Sequence, residues 1–344
     1  MFPASAQSCQ PLACVAERIG HMLGKTFLSA GSTFSLVSLA AALLIAAAYL
    51  AWRRPGRRRS VRVLVRALFP RWLAGSASSR ADLGFMLLNL FVTSTLIGWA
   101  LFSYAAIAHG TAGVLASAFG SAPRIGASPA LQGAFVTLAL FLAYDFAYWA
   151  DHWLKHKIPF LWEFHRVHHT AEVLSPVTVF RTHPVDTLVF SNISAVVIGA
   201  AQGACLYAFG GGREAAVSGT NLIFVGFVFA VVHLQHSHVP IRTKGWLGKL
   251  LLSPAHHQIH HSTLEVHYGS NLGSCLAVWD WIFGTLVLPE QVEGRLRFGA
   301  ETKADPYGPH TITGGLVLPF IRAARALTPK PSATTVTRPQ ALEA

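Results

Sequence analysis

The chain has 344 residues, of which 52% are apolar and only 12% charged, and its mean hydropathy is +0.44. Such a composition excludes a pair of ordinary soluble domains and places the chain in a bilayer. The net charge of +12 does not indicate a nucleic-acid partner, because the basic residues crowd beside apolar runs instead of forming a soluble basic domain with stacking aromatics.

Residues 1–30 carry no clear pattern. The apolar run 33–52 is long enough to cross a hydrocarbon core of ~30 Å as a helix. A basic block follows it, made of Arg53, Arg54, Arg57, Arg58, Arg59, Arg62 and Arg66, whereas a cleaved signal peptide has its basic residues first. The positive-inside rule makes this block cytoplasmic and puts the N-terminus outside. A second span is predicted at 83–107, then an outside loop at 108–128 whose one basic residue is Arg124. The third span, 131–150, returns inward. The fourth, 186–209, leads to a Gly-rich turn at 210–220, and the fifth, 221–239, comes back to Arg242, Lys244 and Lys249. Five spans then put every histidine cluster on the cytoplasmic face. Leu276 to Leu288 is short and aromatic-rich, suited to a capping or membrane-surface element. The stretch 316–327 reads as an interfacial helix with Arg322 and Arg325 on its polar side. From Thr328 the Pro/Ser/Thr-rich tail is expected to be disordered. The organisation is therefore 1–80 for the N-terminal span and Arg-rich segment, 81–327 for a catalytic domain, and 328–344 for the tail.

The chain holds 17 histidines. Two runs read His-x-x-His-His, at His165, His168, His169 and at His257, His260, His261, and His152 with His156 form a His-x-x-x-His pair. Positions i, i+3 and i+4 share one helix face, so each run presents its imidazoles in one direction. Neutral imidazole is a common ligand of transition metals, and these clusters offer more nitrogens than one ion can use, which points to two ions. The cysteines at 9, 14, 205 and 275 form no Cys-x-x-Cys pattern, excluding a zinc knuckle or thioredoxin-like motif. Cys9 and Cys14 pair only if the N-terminus faces an oxidising compartment; free thiols are the expectation.

Between about 131 and 320 the motifs occur in a fixed order: His152-x3-His156, His165-x2-His168-His169, Arg181-x-His183-Pro184, His236-Ser237, Pro254-x2-His257-x2-His260-His261-Ser262, Tyr268-Gly269 and Trp279-Asp280-x2-Phe283-Gly284-Thr285. This series resembles the fatty acid hydroxylase and sterol desaturase superfamily of membrane-bound di-iron enzymes. The resemblance implies an all-α membrane protein, with a four-helix transmembrane core under a cytoplasmic helical cap and a histidine-ligated di-metal site between them. The first span would be an addition to that core. The chain departs from the usual pattern near 236, where His238 stands in place of a common Asn and His233 and His236 are three apart. Which histidines of the fifth span are ligands is left open.

The candidate metal ligands are thus His152, His156, His165, His168, His169, His236, His257, His260 and His261, with His233 either a ligand or a polar contact between helices. Attack on an unactivated C–H bond needs a redox metal, so the expected cofactors are two iron ions with O2 as co-substrate. Carboxylates that accept imidazole N–H groups should stand nearby, with Asp145, Asp151, Glu163 and Asp280 as candidates. Asp145 either faces the bundle interior or reaches headgroup water from a helix end. His183 is a turn residue or an orienting one, His238 and His256 are expected to support the ligands, and His267 is a bound or nearby imidazole. His21, His109 and His310 are expected to be surface residues. The expected reaction is hydroxylation of an aliphatic C–H bond in a membrane lipid, fatty acyl, sterol or isoprenoid. Desaturation on the same centre is the near alternative, and a non-catalytic metal-binding or metal-transporting protein the distant one. The sequence holds no haem-binding His-Pro-Gly-Gly run and no dinucleotide fingerprint, so a separate ferredoxin- or cytochrome b5-like electron donor is expected. The 53–66 segment would meet such a donor or anionic headgroups.

Overall fold

A computed structural model describes residues 11–32, 34–53, 60–98, 101–121, 126–210, 213–300, 306–307 and 310–328. These residues are helical apart from turns, loops and one small hairpin, Ala216–Val217 with Thr220–Asn221. The N-terminal part comprises α1 (Pro11–Leu23), α2 (Leu36–Arg53), α3 (Val61–Leu68), α4 (Arg71–Gly75) and α5 (Ala77–Leu88), which passes through a π turn into α6 (Ser94–Leu96). The central part comprises α7 (Tyr104–Phe119), α8 (Pro129–Lys157), α9 (Pro159–His169) and α10 (Pro184–Phe209). After the hairpin, α11 (Leu222–Phe227) runs through a further π turn, Val228–Val232, into α12 (His233–Gln235). The C-terminal part holds α13 (Gly245–Leu250), α14 (Pro254–His260), α15 (Val278–Ile282) and α16 (Ile312–Leu327).

Helices α8 and α10 run antiparallel. Phe135 meets Phe209 at one end, with ring centroids 5.4 Å apart, while Tyr148 meets Phe190 and Lys155 pairs with Asp186 at the other. Helix α7 lies along α10 in the same direction, since Phe102 N donates to Asn192 Oδ1 near its start and Tyr207 Oη to Gly120 O near its end. The close approach needs glycine: a Cβ on Gly203 would overlap Ala108 O and the Thr111 side chain. Leu131, Phe135 and Leu138 on α8 and Val196 on α10 stay exposed, as lipid-facing positions do. Among the described residues three helices are long and apolar enough to cross a membrane, namely α2, α8 and α10, and Tyr104–Phe119 and Leu222–Gln235 are shorter apolar helices.

The second span expected at 83–107 is corrected. Ser94 and Thr95 turn their hydroxyls back onto carbonyls of the preceding turn, a bond that competes with continued helix, and α6 stops at Leu96. Asn89 ties this segment to the loop after α9 by donating to Phe180 O and Thr182 O. The helix that joins the bundle is instead α7, which occupies half of the expected 108–128 loop. Its Gly/Ala/Ser content suggested a loop, but alanine is the strongest helix former and the Ser103 hydroxyl caps the start by accepting from Ala106 N. The C-terminal helix exists but packs Phe320 against Phe164 of α9, so one face is internal. Cys9, the Cys14 side chain, Arg54, Arg57, Arg58, Arg59, Arg124 and the tail 329–344 lie outside the described residues.

Buried Arg181 joins three regions of the chain. Its Nη1 donates to Asp82 Oδ1 (2.9 Å) and Ser78 O on α5, its Nε to Val167 O on α9, and its Nη2 to His310 Nδ1 just before α16. Thr178 Oγ1 donates to the other Asp82 oxygen. Replacing Arg181 by Met strands a buried carboxylate and should destabilise the protein by about 3–5 kcal/mol. Thermal unfolding in detergent should show the Asp82→Asn/Arg181→Met pair regaining part of that loss. A double variant no more stable than Arg181→Met would place the cost elsewhere.

Candidate metal centre

The histidines are carried by short, firmly bounded helices. Pro159 and Pro254 stand at the first positions of α9 and α14, where a missing N–H costs no hydrogen bond. Ser253 and His256 close a reciprocal cap at the start of α14. Each His-x-x-His-His run thus falls at the C-terminal end of a helix, the first inside α9 and the second with His261 just past α14.

Nine of these imidazoles converge in two groups, His152, His156, His165, His169 and His260, and His168, His236, His257 and His261. Each His-x-x-His-His run is shared between them. From α9 the i and i+4 rings, His165 and His169, enter the five-histidine group, and the i+3 ring, His168, crosses to the other. The second run reverses this, giving His257 and His261 to the four-histidine group and His260 to the five. The groups are neighbours, since the rings of His169 and His261 have centroids 4.6 Å apart.

The nitrogens point inward. Nε2 of His152, His156 and His260 is buried without a hydrogen-bond partner. Other Nε2 atoms face one another, 3.3 Å between His165 and His169, 3.0 Å between His168 and His236, 2.9 Å between His236 and His257, and 3.1 Å between His257 and His261. Two lone pairs at such distances repel unless a proton or cation lies between them. Two ligand nitrogens about 2.1 Å from one metal ion and roughly at right angles stand about 3 Å apart, so the spacing fits metal ligation. Imidazole suits iron, zinc, copper and nickel alike.

Several rings are oriented by what their outer nitrogen touches. His152 Nδ1 donates to Leu272 O (2.7 Å) and His260 Nδ1 to Ser270 O (2.9 Å); a carbonyl only accepts, so Nε2 carries the lone pair in both. The carbonyls are aimed by a kinked loop in which Gly269 and Asn271 both have positive φ, 68° and 53°. Asn271 locks that kink by donating to His256 O and Val287 O and accepting from Val287 N. His165 Nδ1 meets Asp186 Oδ2 at 2.8 Å, and the other Asp186 oxygen pairs with Lys155, which also bonds Asp151.

The remaining expected residues fall elsewhere. His233 joins neither group, and its Nε2 bonds Ser38 Oγ of α2 at 2.8 Å. The π turn before α12 and the helix end at Gln235 give it a direction different from His236. Asp145 accepts from Cys275 N, Leu276 N and Trp279 Nε1, and Asp280 from Leu272 N, Gly273 N, Trp149 Nε1 and Thr285 Oγ1, so neither touches an imidazole. Both instead hold the loop whose Leu272 carbonyl receives His152. Asp151 serves Lys155, and Glu163 faces Arg166. His183 caps α10 by accepting from Val185 N and reaches Leu316 O. His238 bonds Ala67 O, His256 belongs to the α14 cap, and His267 is buried apart from both groups. His310 is engaged by Arg181 and Glu172 instead of lying free on the surface. The carboxylate missed in the sequence is Asp186, two residues past the Arg181-x-His183-Pro184 motif, in the first turn of a helix opened by a proline.

Comparison with known proteins agrees with this geometry. The family model described as fatty acid hydroxylase matches residues 137–285, a stretch that contains both histidine groups. Residues 137–285 are thus similar to the fatty acid hydroxylase family. The chain is 30% identical over 157 residues to ornithine lipid hydroxylase OlsE of Rhizobium tropici, covering 45% of this chain and 42% of the relative. It is 27% identical over 148 residues to human alkylglycerol monooxygenase and 26% to the zebrafish (Danio rerio) protein, covering 42% of this chain and 29% of each relative. The matched part thus spans less than half of these curated relatives. No solved structure matches.

Burial favours the neutral form of six imidazoles of the two groups. Desolvation pushes His168, His169, His257 and His261 far below the ordinary histidine range, and His236 and His260 down to about 3. Unfolded histidines titrate near ~6.5, so unfolding of the metal-free protein takes up protons in acid. Its stability should be complete above about pH 6.5 and fall as the pH drops toward 3, by about 1.4 kcal/mol per pH unit for each such group. Unfolding temperatures of chelator-treated protein that stay level from pH 8 to pH 5 would contradict this. Asp186→Asn weakens the partner of the His165 N–H and should lower metal affinity by about 10–100-fold. Competition with a calibrated chelator reads that loss, and an unchanged affinity would remove Asp186 from the centre.

Proposed function

We propose that this chain hydroxylates an aliphatic C–H bond of a membrane lipid, using O2 and a pair of iron ions held by the nine histidines. The observation that carries the reading is the pair of converging imidazole groups, with inward, unpartnered nitrogens, at the end of long apolar helices. His152, His156, His165, His169 and His260 would hold one ion, and His168, His236, His257 and His261 the other. Iron bound there would supply the one-electron chemistry with O2 that an unactivated C–H bond requires and that zinc lacks. The protein's part is orientation and the exclusion of water. Leu272 O, Ser270 O and Asp186 fix rings of the five-histidine group, and the Trp162 indole covers His156 and His169 at 4.9 and 5.3 Å.

The position of the centre supports a lipid substrate. Tyr144, Tyr148 and Phe190 form an aromatic wall between α8 and α10, and Tyr148 reaches the His152 ring at 5.6 Å. Such a wall suits a hydrocarbon chain rising from the bilayer. The relatives' names, ornithine lipid hydroxylase and alkylglycerol monooxygenase, favour a lipid with a polar head and long aliphatic chains over a sterol. A cytoplasmic position is supported by Lys157, Arg242, Lys244 and Lys249 at the histidine end of the bundle, against Arg213 by the hairpin at the other. Electrons would come from a separate donor protein.

Metal analysis of detergent-purified protein tests this reading. About two irons per chain are expected, as two separate imidazole groups require, with large losses in His168→Ala and His260→Ala. Oxygen-dependent appearance of a hydroxylated lipid in extracts should vanish in the same variants. A single zinc indifferent to both substitutions would overturn the proposal, and an alkene product would shift it to desaturation.

A further inference from the structure

The apolar run of α8 ends at Ala150, and the helix continues to Lys157. Twenty residues at 1.5 Å each span about 30 Å, the thickness of a hydrocarbon core, so the turns from Trp149 onward enter the headgroup layer. Helix α15 is docked at that level. Phe283, just past its end, stacks on Trp149 with ring centroids 4.3 Å apart, and Trp149 stacks in turn on Trp153. Beside α15 lies α13, joined through the Ala277 N to Leu250 O bond and the Leu251–Leu276 bridge.

Together these two short helices present an unusual outer surface. Trp246 is 74% exposed, Ile282 60%, Trp281 58% and Phe283 52%, and Leu250 is exposed beside them. Lys249 lies over the Trp281 ring, 5.6 Å from its centroid, and Arg242 and Lys244 are exposed on the approach to α13. A soluble face does not leave two tryptophans and a phenylalanine bare in one patch. Indoles with flanking lysines are what the membrane–water interface selects, the rings entering the acyl boundary and the ammonium groups meeting phosphates.

We propose that α13 and the α15 turn, through Trp246, Lys249, Leu250, Trp281, Ile282 and Phe283, form a foot that inserts into the anionic headgroup layer and seats the histidine-bearing cap on the bilayer. The occupant is lipid, because the patch adjoins the end of α8 through the Phe283–Trp149 stack and its charge is net basic, Arg242, Lys244 and Lys249 against the one carboxylate of Glu290, which accepts from Gly245 N. The inference rests on α8 crossing the membrane and not on the proposed hydroxylation.

The test uses the full chain with Cys9 and Cys14 replaced by Ser; Cys205 and Cys275 are buried. Trp281→Cys and, separately, Trp246→Cys are labelled with an environment-sensitive fluorophore. Each is reconstituted at one chain per nanodisc in phosphatidylcholine with phosphatidylglycerol. Each variant alters one residue of the foot, and a metal content equal to the parent's shows that the cap is folded. A quencher attached near the lipid headgroup should remove most of the emission, and aqueous iodide little of it. Lys249→Glu in the same protein should shift the balance toward iodide. Ready quenching by iodide with none from the lipid quencher would overturn the proposal. So would protection from iodide that appears only when two chains share a disc, since the face would then be a contact between copies. Failure of the hydroxylation assay alone would leave the quenching pattern unchanged.

Discussion

Holding nine neutral imidazoles together in a buried space is the constraint on which the rest of this structure depends. An isolated polar ring buried without partners is unfavourable, and a cluster of inward lone pairs adds mutual repulsion. The five-histidine group resolves half of that difficulty with fixed acceptors on the outside, Leu272 O, Ser270 O and Asp186. Cations bound among the inward nitrogens would relieve the other half. In the four-histidine group the outer nitrogens of His168, His257 and His261 have no hydrogen-bond partner among the described residues. The two groups are therefore held by different means, one through oriented ring N–H bonds, the other through packing of the rings against one another.

The supports are relayed. Asp280 does not touch a histidine, yet it accepts from Leu272 N and Gly273 N, and the Leu272 carbonyl accepts from His152. Asp145 acts on the next residues of the same loop through Cys275 N and Leu276 N. Arg181 is bound to Val167 O, one residue before His168, while its other partners come from α5 and from His310, two residues before α16. The family region of 137–285 is thus braced from both sides. Ser38 of α2, Asp82 of α5 and His310 all lie outside it, and each holds a residue inside it.

Much of the centre was legible in the sequence because helical spacing is rigid. Once 165, 168 and 169 lie on one helix, their rings leave one face, whatever surrounds them. The division of each run between two groups was not legible, because it depends on how α9 and α14 face each other. Asp145 and Asp280 were placed near the histidines, but their oxygens go to backbone amides, and backbone partners leave no spaced signature in a sequence. Of the two readings of His233, the polar contact between helices is the one seen, for a local reason: three residues of spacing imply a shared face only on an unbroken helix, and a π turn precedes it while the helix ends before His236. The second span was misplaced because hydropathy does not register the hydroxyl back-bonds at Ser94 and Thr95, and because an Ala-rich helix resembles a small-residue loop in composition.

Helix α8 ties the membrane to the chemistry most directly. Its apolar run stops at Ala150, and its first imidazole, His152, stands two residues on, an advance of about 3 Å. No glycine, proline or break separates the last apolar turns from the histidine-bearing ones, since Pro129–Lys157 is a single helix. The lateral position of the five-histidine group relative to α10 is set at the same level, where Asp186 in the first turn of α10 bonds both Lys155 and His165. A shift of α8 against α10 would break that ion pair and turn His165 at once. Bundle packing and ring orientation are therefore one degree of freedom. This explains why buried charges are retained at a helix end where neutral residues would pack with a smaller desolvation cost.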